Sequence, residues 1–181
     1  MTPVLTTERL ILRPLVVEDA EALFPALSDP ATMHWWSHAP LATLDEARTY
    51  LARDTSPWRS WAITLAGGEH ALGWVSAGEK RQGGVTEIGY LLSPAVQGQG
   101  IAREAVTAVI DRLFSEGQRR VFADTDPENE GSIRLLQSLG FQREGLLRAE
   151  WETHIGVRDS VIWGLLRGEW GTRGARAGLS S

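Results

Sequence analysis

The chain has 181 residues, enough for one domain with its own core, and 43% hydrophobic with 23% charged residues is an ordinary globular composition. Its formal net charge of −5 argues against a protein that binds nucleic acid through an overall positive field. The absence of cysteine excludes disulfides, thiolate metal sites, iron–sulfur clusters and a cysteine nucleophile.

The N-terminal region shows no pattern of a targeting or membrane-spanning segment. Glu8, Arg9 and Arg13 interrupt it, and no apolar run approaches the ~20 residues that cross a bilayer. His34 and His38 stand four residues apart, but the carboxylate of an HExxH zinc motif is missing. We therefore expect a cytoplasmic protein that binds no membrane, no nucleic acid and no metal ion.

The N-terminal half predicts one strand, two helices and an antiparallel meander. Polar and apolar residues alternate over residues 8–15, and helical spacing follows over residues 17–27 until Pro30 ends it. A capping-box pattern opens a second helix over residues 43–51. Glycine-containing turns separate three strand-like runs, at residues 60–66, 70–80 and 85–93.

The C-terminal half predicts a long helix, a strand, a short helix and two long strands. Apolar residues recur at helical spacing from Ile101 to Phe114, and Gly117 ends this helix. The other elements are a strand at 119–125, a helix at 129–139 and strands at 142–155 and 157–166. This order predicts one α/β (α+β) domain over residues 1–170, followed by a flexible tail over 171–181.

A glycine-containing loop, residues 97–102, joins a predicted strand to the most amphipathic helix. Unpaired N–H groups at such a junction form an anion site suited to a pyrophosphate, although many similar junctions are plain turns. Arg103 stands where a dinucleotide fingerprint requires Gly or Ala, and the only lysine, Lys80, lies outside any P-loop pattern. Neither nucleotide motif fits.

The motif Gln97-x-x-Gly100-x-Ala102, after a strand ending Leu92-Ser-Pro94, resembles the acetyl-coenzyme A loop of the GCN5-related N-acetyltransferase (GNAT) superfamily. Residues 126–141 resemble its Asn-containing helix followed by Leu-Gly-Phe. The segments 7–14 and 159–170 are similar to the RimJ/RimL-type branch, which includes ribosomal-protein-alanine N-acetyltransferases. The resemblance covers about residues 6 to 170.

The resemblance implies a single GNAT domain with a mixed, mostly antiparallel sheet flanked by about four helices. It also implies acetyl-CoA as co-substrate and direct attack by a primary amine in a ternary complex, which suits a chain without cysteine. The acceptor that the resemblance implies is a protein N-terminus or a small-molecule amine. A non-catalytic acyl-CoA-binding module is the alternative, and the sequence leaves a homodimer open.

The resemblance further implies which residues contact the co-substrate. Backbone groups of Leu91 and Leu92 would pair with the pantetheine arm, and the Leu92 N–H would donate to the thioester oxygen. Asn129 would reach the co-substrate through its amide, and Ser132 would protonate the departing thiolate. Backbone N–H groups would hold the pyrophosphate at Gln97, Gly98, Gln99, Gly100, Ile101 and Ala102.

Glu87 is the candidate general base, because the acceptor arrives as an ammonium ion and must lose a proton before it attacks. Each catalytic assignment has a structural alternative. Glu87 would instead face solvent or pair with an arginine, Ser132 would bond a backbone carbonyl, and Asn129 would cap its helix. Other candidate bases are His34, His38 and His154, and the candidate ligands of the 3′-phosphate of coenzyme A are Arg103 and Arg134.

Tryptophan is unusually frequent, at eight residues against six Phe and Tyr together. His34, Trp35 and Trp36 lie between the first two predicted helices, where they would line an acceptor pocket. Trp58 and Trp61 would flank the same pocket, and the alternative is that these side chains are core or dimer contacts. The remaining four are predicted to pack in or beside strands: Trp74, Trp151, Trp163 and Trp170.

Overall fold

A computed structural model describes residues 2–80 and 82–171; of the predicted tail, 172–181 lie outside the described residues. The strands are β1 (Leu5–Thr6), β2 (Leu10–Pro14), β3 (Arg59–Leu65), β4 (Gly73–Glu79), β5 (Val85–Leu92), β6 (Arg120–Thr125), β7 (Gln142–Thr153) and β8 (Gly156–Leu166). The helices are α1 (Ala20–Leu27), α2 (Pro30–Met33), α3 (Leu44–Leu51), α4 (Ile101–Ser115), α5 (Glu130–Leu139) and α6 (Arg167–Trp170).

All the described strands belong to one sheet with the order β1-β2-β3-β4-β5-β6-β8-β7. Neighbouring strands are antiparallel except β5 and β6, which are parallel. Only α1, α3, α4 and α5 have eight or more residues among the described helices. The prediction of a mixed, mostly antiparallel sheet with about four helices is therefore confirmed.

Helices cover the sheet on both faces and give it two cores. On one face α4 buries a continuous stripe that includes Val106, Val109 and Ile110, packed against β-strand residues such as Val75. On the other face α1 and α3 pack over a second cluster that contains Trp74. Each fully buried large apolar side chain contributes roughly 1.5–3 kcal/mol, so these two layers hold the sheet in place.

The N-terminal elements differ in detail from the sequence expectation. A 3₁₀ turn, Val17–Asp19, precedes α1, and the chain forms a further helical turn after Pro30 instead of leaving the helical region. Asp29 explains this turn, because its carboxylate accepts hydrogen bonds from the backbone N–H groups of Ala31 and Thr32. Proline at the first helical position loses no hydrogen bond, so Asp29-Pro30 ends one helix and starts another.

None of the helices within residues 2–80 and 82–171 is long and apolar enough to cross a membrane.

Candidate active site

A cleft opens in the middle of the sheet between β5 and β6. The two parallel strands pair only from Val85 to Glu87 on β5 and from Arg120 to Phe122 on β6. Beyond these pairs β5 stays with β4 while β6 stays with β8. The separation leaves a cavity of about 280 Å³, which is lined by residues from both faces of the sheet.

Successive residues of β5 direct their backbone N–H and C=O groups alternately to β4 and to this cleft. The Ser93 N–H donates to the Leu72 carbonyl at 2.7 Å, and the Lys80 N–H donates to the Val85 carbonyl at 2.8 Å. Since hydrogen-bonded pairs recur every second residue in an antiparallel ladder, Leu91 bonds to β4, whereas Tyr90 and Leu92 direct their N–H groups to the open side. The structure therefore brings the backbone of Leu92 to the cleft but not that of Leu91.

The glycine-containing loop after β5 presents a row of free N–H groups. Gly98 and Gly100 have φ angles of +74° and +77°, a region that favours glycine. Within the described chain, the N–H groups of residues 98–102 meet no backbone carbonyl, whereas that of Gln97 donates to the Pro94 carbonyl at 3.3 Å. The loop ends at the N-terminus of the 15-residue α4, so it has the features of an anion site.

Arg9 fixes this loop to the beginning of the sheet. Its guanidinium donates to the Gln99 carbonyl at 3.1 Å and to the Glu104 carboxylate at 2.7 Å. Burial alone would raise the pKa of Glu104, but hydrogen bonds from Thr7 and Arg9 outweigh it and lower that pKa. Sequence reasoning interpreted this stretch as a strand and as a family signature, and it missed this clamp.

Asn129 and Ser132 lie on the α5 side of the cavity. The Asn129 side-chain oxygen accepts a hydrogen bond from the Ser132 N–H at 3.1 Å, which confirms that it caps α5. The cap uses only the oxygen, so the amide nitrogen of Asn129 stays available to a ligand in the cavity.

Tyr90 lies beside Ser132 in the same cavity and was missed by sequence reasoning. Its hydroxyl is buried and has no hydrogen-bond partner among the residues that the structure describes. Burial raises the pKa of Tyr90 to about 12 and outweighs the neighbouring Ser132 hydroxyl, which lowers it, so the phenol stays protonated at neutral pH. The sequence did contain a signal, because Tyr90 is two residues from the inward-facing Ile88 on a strand.

Glu87 lines the cavity on the other face of the sheet, which α1 and α3 cover. Its carboxylate forms an ion pair with Lys80, and its side chain is 17% exposed. The structure thus gives Glu87 a basic partner, a lysine where an arginine was considered. On the same strand, Leu92 is five residues from Glu87, or roughly 16 Å, whereas Tyr90 is three residues from Glu87, or roughly 10 Å.

The expected acceptor wall is partly in place. His34, Trp35 and Trp36 all line the cavity. His38 is not among its lining residues and packs between Trp36 and Tyr50, with ring centroids 6.2 and 4.8 Å away. The Nδ1 atom of His154 lies 3.2 Å from the Trp36 carbonyl oxygen.

Three tryptophans depart from their predicted roles. Trp61 is completely buried, and its indole N–H donates to the Pro3 carbonyl at 2.7 Å. Trp58 packs flat on Gly78, where a Cβ atom would collide with its ring. The prediction that these two flank the acceptor pocket is therefore wrong. Trp151, predicted to pack, is instead 45% exposed and lines the cavity, because β7 is the edge strand of the sheet formed by the described residues.

Carboxylates form much of the acceptor side, and sequence reasoning singled out none of them except Glu87. Asp126 is held by Arg158, whose Nε and Nη2 atoms donate at 2.7 and 3.0 Å. Burial alone would raise the pKa of Asp126, but the Arg158 guanidinium outweighs it and lowers that pKa. Asp124 and Asp159 also line the cavity. Asp124 and Asp126 are two residues apart at the end of β6, whereas Glu87 and Asp159 lie on β5 and β8, so the proximity of all four has no signature in sequence spacing.

The two candidate 3′-phosphate ligands lie outside this cavity. Arg134 forms an exposed ion pair with Glu130 at 2.7 Å, one helical turn away. Arg103 lines a second, shallower groove between α4 and the N-terminal strand, next to Gly100. Across residues 2–80 and 82–171, no group of His, Asp and Glu side chains has the arrangement of a metal site.

Comparison with known proteins identifies this architecture. The family model described as "Acetyltransferase (GNAT) domain" matches residues 9–142. The uncharacterized N-acetyltransferase p20 of Bacillus licheniformis is 34% identical over 173 residues, which are 92% of this chain and 97% of that protein.

Solved structures agree with this result. A probable GNAT-family acetyltransferase from Chromobacterium violaceum superposes with a TM-score of 0.86 at 28% identity, covering 93% of this chain and 88% of that one. The RimL ribosomal L7/L12 alpha-N-protein acetyltransferase, solved with coenzyme A, superposes with a TM-score of 0.77 at 19% identity, over 91% of this chain and 98% of that one. The second likeness shows a shared fold.

Proposed function

The chain belongs to the acetyltransferase (GNAT) domain family, of the RimJ/RimL-like type, and from that premise we propose that it moves an acetyl group from acetyl-CoA to a primary amine by direct attack in a ternary complex. The observation that carries the proposal is the cleft between β5 and β6. The cleft connects the α4 side of the sheet, which has free backbone N–H groups, with the opposite side, which carries the Glu87 carboxylate. Two substrates that enter from opposite sides can therefore meet inside the sheet.

Acetyl-CoA occupies the side of the cleft nearest α4. The N–H groups of residues 98–102 bind its pyrophosphate, as the free donors at the start of α4 favour. The pantetheine arm lies along the open edge of β5, where Leu92 supplies a backbone donor. The side-chain amide of Gln97 donates to the Leu92 carbonyl at 3.1 Å and keeps this edge in position.

The thioester oxygen accepts a hydrogen bond from a backbone N–H of β5. The family resemblance implies Leu92 as this donor, but Leu92 lies roughly 16 Å from Glu87 along the strand. This distance favours Tyr90, whose N–H also faces the cleft at the level of the cavity. A fixed backbone donor here stabilises the negative charge that develops on oxygen in the tetrahedral intermediate.

Glu87 accepts a proton from the acceptor ammonium, through intervening water because the remaining gap exceeds a hydrogen bond. The amine lone pair then attacks the thioester carbon, and the C–S bond breaks as the intermediate collapses. The attacking nitrogen loses its second proton to the Ser132 hydroxyl oxygen as that hydroxyl gives up its own proton, so Ser132 ends the step neutral. Ser132 gives a proton to the departing thiolate. The Tyr90 phenol, which stays protonated, donates a hydrogen bond to the same sulfur.

The test is thiol release from acetyl-CoA over a panel of small amines and peptides with free N-termini, followed by mass spectrometry of the acceptors. The proposal predicts a product heavier by one acetyl group, formed at a rate that depends on both substrates. Tight acetyl-CoA binding without turnover of any acceptor would instead support the non-catalytic binding module.

A further inference from the structure

The edge strand β7 carries a bulge on the acceptor side of the cleft. The regular pairing of β7 with β8 stops after Leu147 and resumes at Trp151. Between these two pairs, residues 148–150 of β7 lie opposite a single residue of β8, Asp159. Bulges of this kind are frequent beside active sites, where they redirect a side chain. The bulge in β7 therefore has a candidate role in the site.

Ala149, at the centre of the bulge, has a backbone conformation that residues other than glycine rarely adopt. Its φ is +53°, and among the described residues it is the one non-glycine with a positive φ. In this region the Cβ atom comes too close to the following carbonyl oxygen, so the conformation costs free energy. Neighbouring groups must hold it in place.

The Asp159 carboxylate holds the bulge from the adjacent strand. Its Oδ1 atom accepts a hydrogen bond from the Ala149 N–H at 2.8 Å. A hydrogen bond to a charged acceptor is stronger than one between neutral groups, so it offsets the cost of the backbone conformation.

The bulge determines where the Trp151 side chain lies. In an uninterrupted ladder Trp151 would face Gly156 instead of Arg158, its partner in the structure. It would then lie two residues, or roughly 7 Å, further toward the tip of the hairpin. With the bulge in place, the Trp151 indole lines the cavity, and its N–H donates to the Asp124 Oδ2 atom at 2.8 Å.

We propose that Asp159 is a positioning residue of the acceptor site: it holds the bulge at Ala149, and the bulge directs the indole of Trp151 into the cavity, where the ring contacts the acceptor. The inference rests on the proposed function, but the geometry of the bulge can be tested without any acceptor. Asp159 itself also lines the cavity, so direct contact of its carboxylate with the acceptor is the alternative that the experiment has to exclude.

The first measurement follows the indole N–H resonances of the complete protein by NMR, where Trp151→Ala identifies the Trp151 signal. Asp159→Ala removes the hydrogen bond to Ala149, so the Trp151 signal loses the downfield shift that the Asp124 carboxylate causes. Asp159→Asn retains an acceptor oxygen and keeps the shift. Adding Ala149→Gly to Asp159→Ala removes the backbone strain and restores the shift.

Ala149→Val tests the bulge independently, with Asp159 in place. A β-branched residue resists a positive φ, so this variant also loses the downfield shift of Trp151. Asp54→Ala is the matched control and leaves the Trp151 signal unmoved. The Asp54 carboxylate likewise accepts a backbone N–H, that of Ser56 at 2.9 Å, but it lies outside the cavity.

The second measurement is KM and kcat in the acetyl-transfer assay, with the amine or peptide that the thiol-release panel identifies. Asp159→Ala displaces the aromatic wall and raises the acceptor KM by about three- to tenfold, whereas kcat and the acetyl-CoA KM stay within about twofold. Trp151→Ala raises the acceptor KM at least as much, and adding Asp159→Ala to it has no further effect, because both remove the same contact. Asp159→Asn keeps the wild-type KM.

The outcomes separate the two proposals. An unmoved Trp151 signal in Asp159→Ala overturns the inference, and where that variant does not fold, an unmoved signal in Ala149→Val does so. A raised acceptor KM in Asp159→Asn, or additive effects of Asp159→Ala and Trp151→Ala, also overturns it, because the carboxylate then acts on the acceptor directly. A moved signal with an unchanged acceptor KM overturns it and leaves acetyl transfer standing. A moved signal without turnover of any acceptor supports the positioning of Trp151 and contradicts the proposed function.

Discussion

The two sides of the central cleft are built from different parts of the chain. The side nearest α4 consists mainly of backbone groups from one continuous stretch, residues 90–102. The opposite side consists of side chains that are distant in sequence: His34, Trp35, Trp36, Glu87, Asp124, Asp126, Trp151 and Asp159. The first side takes its properties from chain conformation, and the second takes them from the identity of individual side chains.

This difference means that backbone groups recognise the co-substrate, whereas side chains recognise the acceptor. Backbone donors recognise a phosphate or a carbonyl group in the same way whatever the neighbouring side chains are. A wall of side chains can instead acquire a new charge or ring without disturbing the sheet. We therefore expect changes on the first side to affect the co-substrate, and changes on the second side to affect the acceptor.

The largest expected effect comes from Glu87→Gln on the acceptor side. The amide cannot take a proton from the ammonium, so turnover at neutral pH falls by about 10²–10⁴-fold. Acetyl-CoA affinity stays at the wild-type value, because Glu87 does not contact the co-substrate side. Steady-state kinetics and calorimetry measure the two quantities.

Glu21→Gln, at an exposed position on α1, is the matched control and keeps wild-type turnover. Unchanged turnover in Glu87→Gln would remove this residue from the base role. If Glu87→Gln also lost acetyl-CoA affinity, the two sides of the cleft would not act separately on co-substrate and acceptor.

The sequence predicted most of the fold because its elements carry local signals. The apolar stripe of α4 and the glycine after it are repeated in the structure almost residue for residue. The short helix α2 was missed because Pro30 can end a helix or begin one, and only the capping contacts of Asp29 decide between them.

The sequence predicted the co-substrate side of the site better than the acceptor side, because the first comes from one continuous stretch and the second from residues that are distant in sequence. The loop from Gly98 to Ala102 lies in one stretch, so its spacing is visible in sequence. Asp124 and Trp151 meet through a hydrogen bond between residues 27 positions apart, which no local pattern encodes. Trp61 was wrongly predicted to flank the acceptor pocket, because burial and pocket lining both favour tryptophan.

A smaller effect is expected from Gly100→Ala on the co-substrate side. At φ +77° the added Cβ costs roughly 1–2 kcal/mol, and the loop relaxes by turning its N–H groups away from the pyrophosphate. We expect coenzyme A affinity to fall by about tenfold, measured by calorimetry.

Gly117→Ala is the matched control, since its φ is +97° and it lies at the far end of the same helix. It loses similar stability in a urea titration but keeps its coenzyme A affinity. Wild-type affinity in Gly100→Ala would contradict the pyrophosphate assignment.

The smallest expected effect is at Tyr90, where the two sides meet. Tyr90→Phe removes one hydrogen bond to the departing sulfur, so the turnover number falls by about two- to tenfold. It also removes a buried hydroxyl without a partner, so the free energy of unfolding at pH 7 stays the same or rises by up to ~1 kcal/mol. Lower activity with equal or higher stability indicates a functional hydroxyl rather than a structural one.

The pH dependence of stability provides a second readout for Tyr90. The pKa of its phenol is about 12 in the folded protein and ~10 in the unfolded chain, so the folded state holds the proton more tightly. Wild-type stability therefore falls as the pH rises above 10, and Tyr90→Phe removes part of that fall in urea titrations. The only other tyrosine, Tyr50, lies outside the cavity, and burial raises its pKa as well, so it contributes to the same fall and serves as the control for turnover. Tyr50→Phe keeps wild-type turnover, and an equal loss of turnover in both variants would show that Tyr90 has no specific role.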